Sequence, residues 1–130
     1  MYYDVSNMKD FTRFSIFNNG EECFSLNCEI QASQSSINYK FFQSEKDFDI
    51  SISKSSGLLF INTNGHILDS KLLQSALQIV SNEMKKINLN PQINIAKSNV
   101  FLQKIANSCN FKKVPTLGKF KFAIWKYFGG

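Results

Sequence analysis

The sequence predicts a single α/β domain over residues 1–130, with a mixed, mostly antiparallel sheet that contains one parallel pair and is flanked by helices. Two observations predict this fold. The first half of the chain shows the two-residue apolar period of strands, whereas the second half shows a strand, an amphipathic helix, a strand and a second helix. A chain of 130 residues has room for one domain with a substantial core.

Strands dominate the first half of the predicted fold. Residues 47–53 alternate polar and apolar side chains, which is the pattern of a half-buried strand. Residues 58–61 are continuously apolar, so we expect a central strand covered on both faces. The other predicted elements of this half are a strand at 2–5, a helix or helical turn at 8–17, a turn at Asn19-Gly20, and strands at 23–30 and 36–42.

A strand–helix–strand unit opens the second half. Apolar residues between 70 and 87 follow the helical period and form one stripe of Leu73, Ala76, Leu77, Val80, Met84 and Ile87. Asp69 or Ser70 is placed to cap this helix. Residues 92–96 are the next strand. Because a helix connects them, strands 58–61 and 92–96 are expected to pair in parallel.

A second helix and a last strand complete the chain. Asn99 is placed to cap the helix, whose buried side is predicted to carry Leu102, Ile105 and Ala106. Residues 112–117 are a connection or short strand. Residues 119–128 are the last strand, in which Phe120, Phe122 and Ile124 alternate with the residues between them. Strands 36–42 and 119–128 are candidates for exposed sheet edges that pair with another chain.

Charge is distributed unevenly along the sequence. Residues 1–65 carry five Lys/Arg and eight Asp/Glu, a net charge of −3, whereas residues 66–130 carry ten Lys and two acids, a net charge of +8. The second half therefore favours contact with a polyanion such as coenzyme A, nucleic acid or an acidic protein surface. A solvated lysine face explains the same charge.

Targeting segments and metal sites are not recognised in the sequence. The first four residues lack the basic and apolar regions of a signal peptide, and no apolar run approaches the roughly 18 residues of a membrane helix. Cys23, Cys28 and Cys109 lack the spacing of metal ligands. We interpret them as reduced structural thiols of a cytosolic fold, and we expect no metal and no cofactor.

A family resemblance rests on residues 99–111. Asn99 is followed at three, seven, eleven and twelve residues by Leu102, Ala106, Asn110 and Phe111. This register and the order of elements resemble the GCN5-related N-acetyltransferase family, which often shows Asn, a small residue, Tyr and Gly-Phe at these positions. Asn110 replaces the glycine conservatively, since both accept positive φ. Ala106 stands where the resemblance would place the tyrosine that protonates the coenzyme A thiolate.

The loop at residues 62–71 departs from the same family. Its members hold pyrophosphate with a loop of the type Arg/Gln-x-x-Gly-x-Gly/Ala and the N-terminus of the following helix. Here the loop has one glycine, no arginine, and the anion Asp69 near the helix start. The resemblance therefore implies a fold without the acetyltransferase site. In the alternative, Asn64, Gly65, Lys71 and Asn99 form a divergent acetyl-CoA site.

Catalytic candidates are limited to a few polar residues. His66, the one histidine, lies in the same predicted loop and is a candidate base. Glu21, Glu22 and Glu29 lie near the early strands, where the resemblance would place a general base. An exposed loop histidine and solvated acids in a turn are the simpler explanation of these residues.

A narrower resemblance concerns the end of the chain, from Gly118-Lys119-Phe120 to Gly129-Gly130. This tail is similar to that of the small acetyltransferase-like internal virion proteins of short-tailed bacteriophages. The resemblance implies a non-catalytic structural or assembly protein of the virion or host cytoplasm that contacts other virion proteins. Alternatives are an active N-acyltransferase and a nucleic-acid-associated accessory protein. Candidate interface residues are Lys119, Lys121, Trp125, Tyr127 and Phe128.

Overall fold

The computed structural model describes residues 2–43, 45–115 and 120–129, and within them the chain forms nine strands and two helices. In chain order these are β1 (Tyr2–Asn7), β2 (Thr12–Asn18), β3 (Glu21–Ala32), β4 (Ser36–Gln43), β5 (Lys46–Ser53), β6 (Leu58–Asn62), α1 (Ser70–Lys86), β7 (Gln92–Ala96), α2 (Val100–Ser108), β8 (Phe111–Lys113) and β9 (Phe122–Tyr127).

The nine strands form one sheet in the order β1-β2-β3-β4-β5-β6-β7-β9-β8. Neighbouring strands are antiparallel except for β6 and β7, which pair in parallel and are connected by α1. The predicted parallel pair and its crossover helix are confirmed. The fold is mixed α+β, with a mostly antiparallel sheet, one parallel pair and two helices.

Three expectations about the strands are wrong, and the structure also defines the buried side of β9. Residues 12–18 form β2 and not a helix, because they pair with β3 across the Asn19-Gly20 turn, where φ is 53° and 82°. Strands β4 and β9 lie inside the sheet, so its edges are β1 and β8. Strand β6 is covered on one face only, since Leu59 is buried whereas Phe60 is 57% exposed. Phe120, Phe122 and Ile124 are exposed, because Ala123 and Tyr127 are the residues of β9 that face the core.

Helix α1 is enclosed on almost every side. Between Lys71 and Lys85 none of its residues is exposed. The fully or largely buried residues include the predicted stripe but extend around the helix, and they are Leu73, Ser75, Ala76, Leu77, Ile79, Val80, Ser81 and Met84. Ile87, expected in the stripe, is exposed because the helix ends one residue before it. A helix covered by a flat sheet on one side would leave its opposite side in water.

The sheet encloses α1 because it is rolled. The Asn82 amide donates to the Tyr3 hydroxyl at 2.9 Å, and the Gln78 amide donates to the Tyr127 hydroxyl at 2.8 Å. Gln78 and Asn82 are one turn apart on the same side of α1. Tyr3 is on β1 and Tyr127 on β9, which a flat sheet would hold roughly 34 Å apart at about 4.8 Å per strand. The two ends of the sheet therefore curl towards one side of the helix.

Tyr3 fixes the first strand to the helix. Its hydroxyl also donates to the Glu83 carboxylate at 2.7 Å, and Lys86 bonds to the same carboxylate while lying over the Tyr3 ring. Burial raises the pKa of Tyr3, and the Glu83 carboxylate raises it further, so the phenol stays protonated as a donor. Tyr3 thus connects the edge strand β1 to α1. In the described chain β1 otherwise pairs only with β2.

We predict that Tyr3→Phe lowers the free energy of unfolding by about 1–2 kcal/mol, because it leaves Asn82 and Glu83 without their partner. The matched control is Tyr2→Phe, which removes an exposed hydroxyl bonded to Asp4 and should change stability by less than about 0.5 kcal/mol. Urea denaturation followed by circular dichroism measures both. Equal effects of the two substitutions would contradict the proposed role of Tyr3.

Candidate functional site

The parallel pair opens towards its C-terminal ends. Among the described residues, β6 and β7 pair through Leu58–Gln92 and Leu59–Ile93 alone. The closed end is held by Gly57, whose carbonyl accepts the Gln92 N–H at 2.9 Å. Both strands continue for three residues past the last pair, and the 62–69 loop and the start of α1 follow at this open end. The C-terminal ends of parallel strands are where α/β folds hold ligands.

Internal hydrogen bonds occupy the loop that follows β6. The Asn62 side chain accepts the backbone N–H of Asn64 at 3.1 Å, and the Asn64 amide donates to the backbone carbonyl of Asp47 at 3.1 Å. Asn64 and Gly65 have φ of 54° and 79°, so the loop turns tightly here. The Asn64 side chain is therefore bound to β5 and not directed towards a ligand at the helix start.

The N-terminus of α1 is capped by its own sequence. The Asp69 carboxylate accepts the N–H of Leu72 at 3.3 Å. The Lys71 side chain extends towards β3, where its ammonium lies 5.6 Å from the centre of the Phe24 ring. Asn64, Gly65 and Lys71 are thus neighbours in sequence, but the side chains of Asn64 and Lys71 do not converge on one point. An anion at this helix start would meet the Asp69 carboxylate, which already accepts the N–H of Leu72.

The predicted register of α2 is present in the structure. Asn99 accepts the N–H of Leu102 at 3.1 Å, Asn110 has φ of 67°, and Phe111 is buried. The Asn99 side chain is therefore used as a helix cap. Ala106 is fully buried on the side of α2 that faces the core, so a tyrosine at this position would have to displace its neighbours.

The candidate acid–base residues are far apart. Glu29 is exposed on β3 beside Lys40 of β4, whereas His66 follows β6, three strands away, or roughly 14 Å at the usual strand spacing. Glu21 and Glu22 lie at the exposed start of β3. In the described part of the chain, no side-chain hydrogen bond joins His66 to an acid or a nucleophile. These residues do not form one site.

The three thiols have different environments. Cys28 and Cys109 are buried, and burial raises the pKa of each to about 12. The Cys109 thiol donates to the carbonyl of Gln74 at 3.2 Å, which agrees with its interpretation as a packing residue. Cys23 is exposed. All three are free, as the sequence predicted.

The predicted interface residues do not share one surface. Tyr127 is 6% exposed and bonded to Gln78, so it belongs to the core and offers no surface to a partner. Trp125 is half-buried against the core. Lys121 and Phe128 are exposed, and Lys112 lies over the Phe128 ring at 5.6 Å. Lys119 lies outside the described residues.

Sequence reasoning missed an apolar patch on the face of the sheet that lies opposite the helices. Its exposed members lie on β6, on β9 and just before β9. We call them the outer apolar patch: Phe60, Phe120, Phe122 and Ile124. Asn94 of β7 pairs with Ile124, and a concave space of about 470 Å³ is lined by Asn94, Lys121 and three of the patch residues. The alternation of Gln92 and Asn94 with Ile93 and Ile95 was the signal that this face is open to water.

A metal site and a membrane-spanning helix are both absent from the described residues. Among the described residues no group of three or more His, Cys, Asp or Glu is arranged to hold a metal ion. No helix in that part of the chain is long and apolar enough to cross a membrane. Comparison with protein families, curated proteins and solved structures gives no match for this chain.

We predict that one thiol of the native protein reacts rapidly with Ellman's reagent and that it is Cys23, because the thiolate is the reactive form and burial suppresses it at Cys28 and Cys109. In guanidinium chloride all three should react. The matched variant Cys23→Ser should show no rapid reaction in the native state. A rapid thiol remaining in that variant would contradict the buried placement.

Proposed function

We propose that this chain is a non-catalytic interaction protein with an acetyltransferase-like fold, and that it serves as a bacteriophage virion component or assembly factor. Two features support the likeness. The chain runs from β6 through α1, β7, α2 and β8 to β9, with β9 inserted between β7 and β8. Asn99, Asn110 and Phe111 have the roles that the family motif implies, as helix cap, positive-φ residue and core residue.

The observation that carries the non-catalytic part of the proposal is the cap at Asp69. A phosphate site at a helix start depends on unpaired N–H groups and on the positive end of the helix dipole. In α1 the Asp69 carboxylate accepts the N–H of Leu72 and brings a negative charge to the same place. A pyrophosphate there would displace a stabilising cap and be repelled by it, at a cost on the order of a kcal/mol or more at surface-like dielectric.

Burial of Ala106 supports the same conclusion from a second place in the fold. General acid catalysis typically contributes about 10²–10⁴-fold where a reaction depends on it. Ala106 has no group that can supply a proton, and its position on α2 is fully buried. Glu29 and His66 lie on separate strands and do not replace it. An acyltransferase with a divergent cofactor loop remains the alternative, in which the open end of β6 and β7 would hold acetyl-CoA.

We predict that isothermal titration detects no acetyl-CoA binding tighter than about 10 µM to the native chain. The variant Asp69→Ser, in which serine preserves the cap but removes the charge, should also fail to bind, because Asn64 and Lys71 still point elsewhere. Inorganic pyrophosphate serves as the control for simple attraction to lysines. Tight binding by the native chain, with protection of residues 65–71 from amide exchange, would overturn the non-catalytic assignment.

The virion setting has its own test. We predict that the chain is recovered by mass spectrometry in purified particles of the phage that encodes it, at a constant ratio to the major structural proteins. Particles washed at high salt provide the control, because an adventitious electrostatic contact is screened under those conditions. Recovery from the soluble lysate alone would contradict a role as a virion component.

A further inference from the structure

We propose that the outer apolar patch and the lysines beside it bind single-stranded nucleic acid. The inference goes beyond the proposed function, and it does not depend on the outcome of the acetyl-CoA titration. It rests on the aromatic rings, charge and hydrogen-bonding groups that β6, β7, β8 and β9 present together on one open face.

Aromatic rings on this face are free to stack. Phe60 is 57% exposed and Phe122 is 56% exposed, on strands separated only by β7. In the described part of the chain neither ring contacts another aromatic ring, whereas most other phenylalanines are buried or paired. Base–aromatic stacking needs an accessible ring on a bare sheet or groove, and these two rings provide it.

The charge around Phe122 is positive. Lys126 of β9 pairs with Lys112 of β8 on the outer face, and Lys121 lines the concave space beside Phe122. The chain contains no acid after Glu83, so β9 and its neighbours β7 and β8 carry none. Phe60 lies at the border of this region, because Asp49 of the neighbouring strand β5 pairs with Asn62 of β6, and further along the same face Lys40 lies between Glu29 and Asp49. The positive potential is therefore centred on β8 and β9, beside Phe122.

A side-chain amide without a hydrogen bond in the described residues lies on β7, between the strands that carry the two rings. Asn94 is exposed and pairs with Ile124, and in the described residues its side chain makes no hydrogen bond, whereas that of neighbouring Gln92 is bound to the carbonyl of Ser56. A side-chain amide both donates and accepts, which suits the exposed edge of an unpaired base. The rings can thus stack on base faces, the lysines can contact phosphates, and the amide can bond to a base edge of an unpaired strand.

Other occupants fit this surface less well. A second copy in a two-fold dimer would bring two sets of Lys112, Lys121 and Lys126 into one interface, where β7, β8 and β9 offer no acid to pair with them. Protein interfaces are depleted in lysine, whereas this surface has three. Duplex DNA conceals the base faces in its stack, so exposed rings reach them only if the duplex is kinked and unstacked, at a cost of a few kcal/mol per step. Single-stranded nucleic acid exposes both phosphates and base faces.

Fluorescence anisotropy with labelled oligothymidylate and oligouridylate of about 15 nucleotides tests the proposal, and a duplex of equal length is the comparison. We expect salt-dependent binding that favours the single strands, and a difference between the two probes would reveal a contribution from the 2′-hydroxyl. Phe60→Ala and Phe122→Ala should each weaken binding roughly 5- to 100-fold through lost stacking. Lys126→Gln should reduce the slope of log K against log salt by about 1.

Matched variants separate this site from general effects. Phe101→Ala removes a similarly exposed ring from α2, and Lys40→Gln removes a lysine from the acidic part of the same sheet face, so both should bind as the native chain does. Thermal unfolding verifies that every variant is folded. No binding at low salt, equal affinity for duplex, or equal losses in Phe101→Ala and Phe122→Ala would overturn the proposal. Unchanged oligonucleotide binding with altered self-association in Phe122→Ala would instead identify a protein-docking surface and also overturn it.

Discussion

Enclosure of α1 by the rolled sheet is the constraint on which the rest of the structure depends. Five large apolar side chains of this helix are buried, and at about 1.5–3 kcal/mol each they contribute on the order of 10 kcal/mol, as much as the net stability of a small domain. The polar contacts of Tyr3 and Tyr127 direct the two ends of the sheet towards the helix. Enclosure of the helix also buries a polar group at a cost in free energy: Ser81 is fully buried, and its hydroxyl has no partner among the described residues.

Rolling the sheet determines which surface is available for function. Both helices lie inside the curve, and the segment expected to be a third helix is strand β2, so in the described chain no helix covers the outside. The outer face must therefore be hydrated or occupied by a partner. Most of it is polar, with Lys40 between two acids, but the part formed by β6 and β9 is apolar. Apolar side chains at that position contribute nothing to the core, and the proposed nucleic-acid site rests on them.

Much of the fold could be predicted from the sequence, because local patterns determine it. The caps at Asp69 and Asn99 and the stripe of α1 follow from spacing within a few residues, and the parallel pair follows from the order strand, helix, strand. Residues 12–18 were wrongly expected to be helical, although the Asn19-Gly20 turn joins them to β3 as a hairpin. The inward face of β9 was not predictable: Ala123 and Tyr127 face the core, and Tyr127 bonds to Gln78, a residue 49 positions away. A distant partner of this kind leaves no local signal.

Under the proposed function, Asp69 stabilises the fold at the place where the resemblance would put a cofactor. The cofactor of an acetyltransferase would supply the negative charge that the dipole of the crossover helix favours. In this chain the Asp69 carboxylate supplies that charge and accepts the N–H of Leu72, and a cap of this kind is typically worth about 1 kcal/mol. Ala106 likewise packs in the core where the resemblance would put a proton donor. Both residues therefore contribute to the stability of the helices and sheet that present the outer apolar patch.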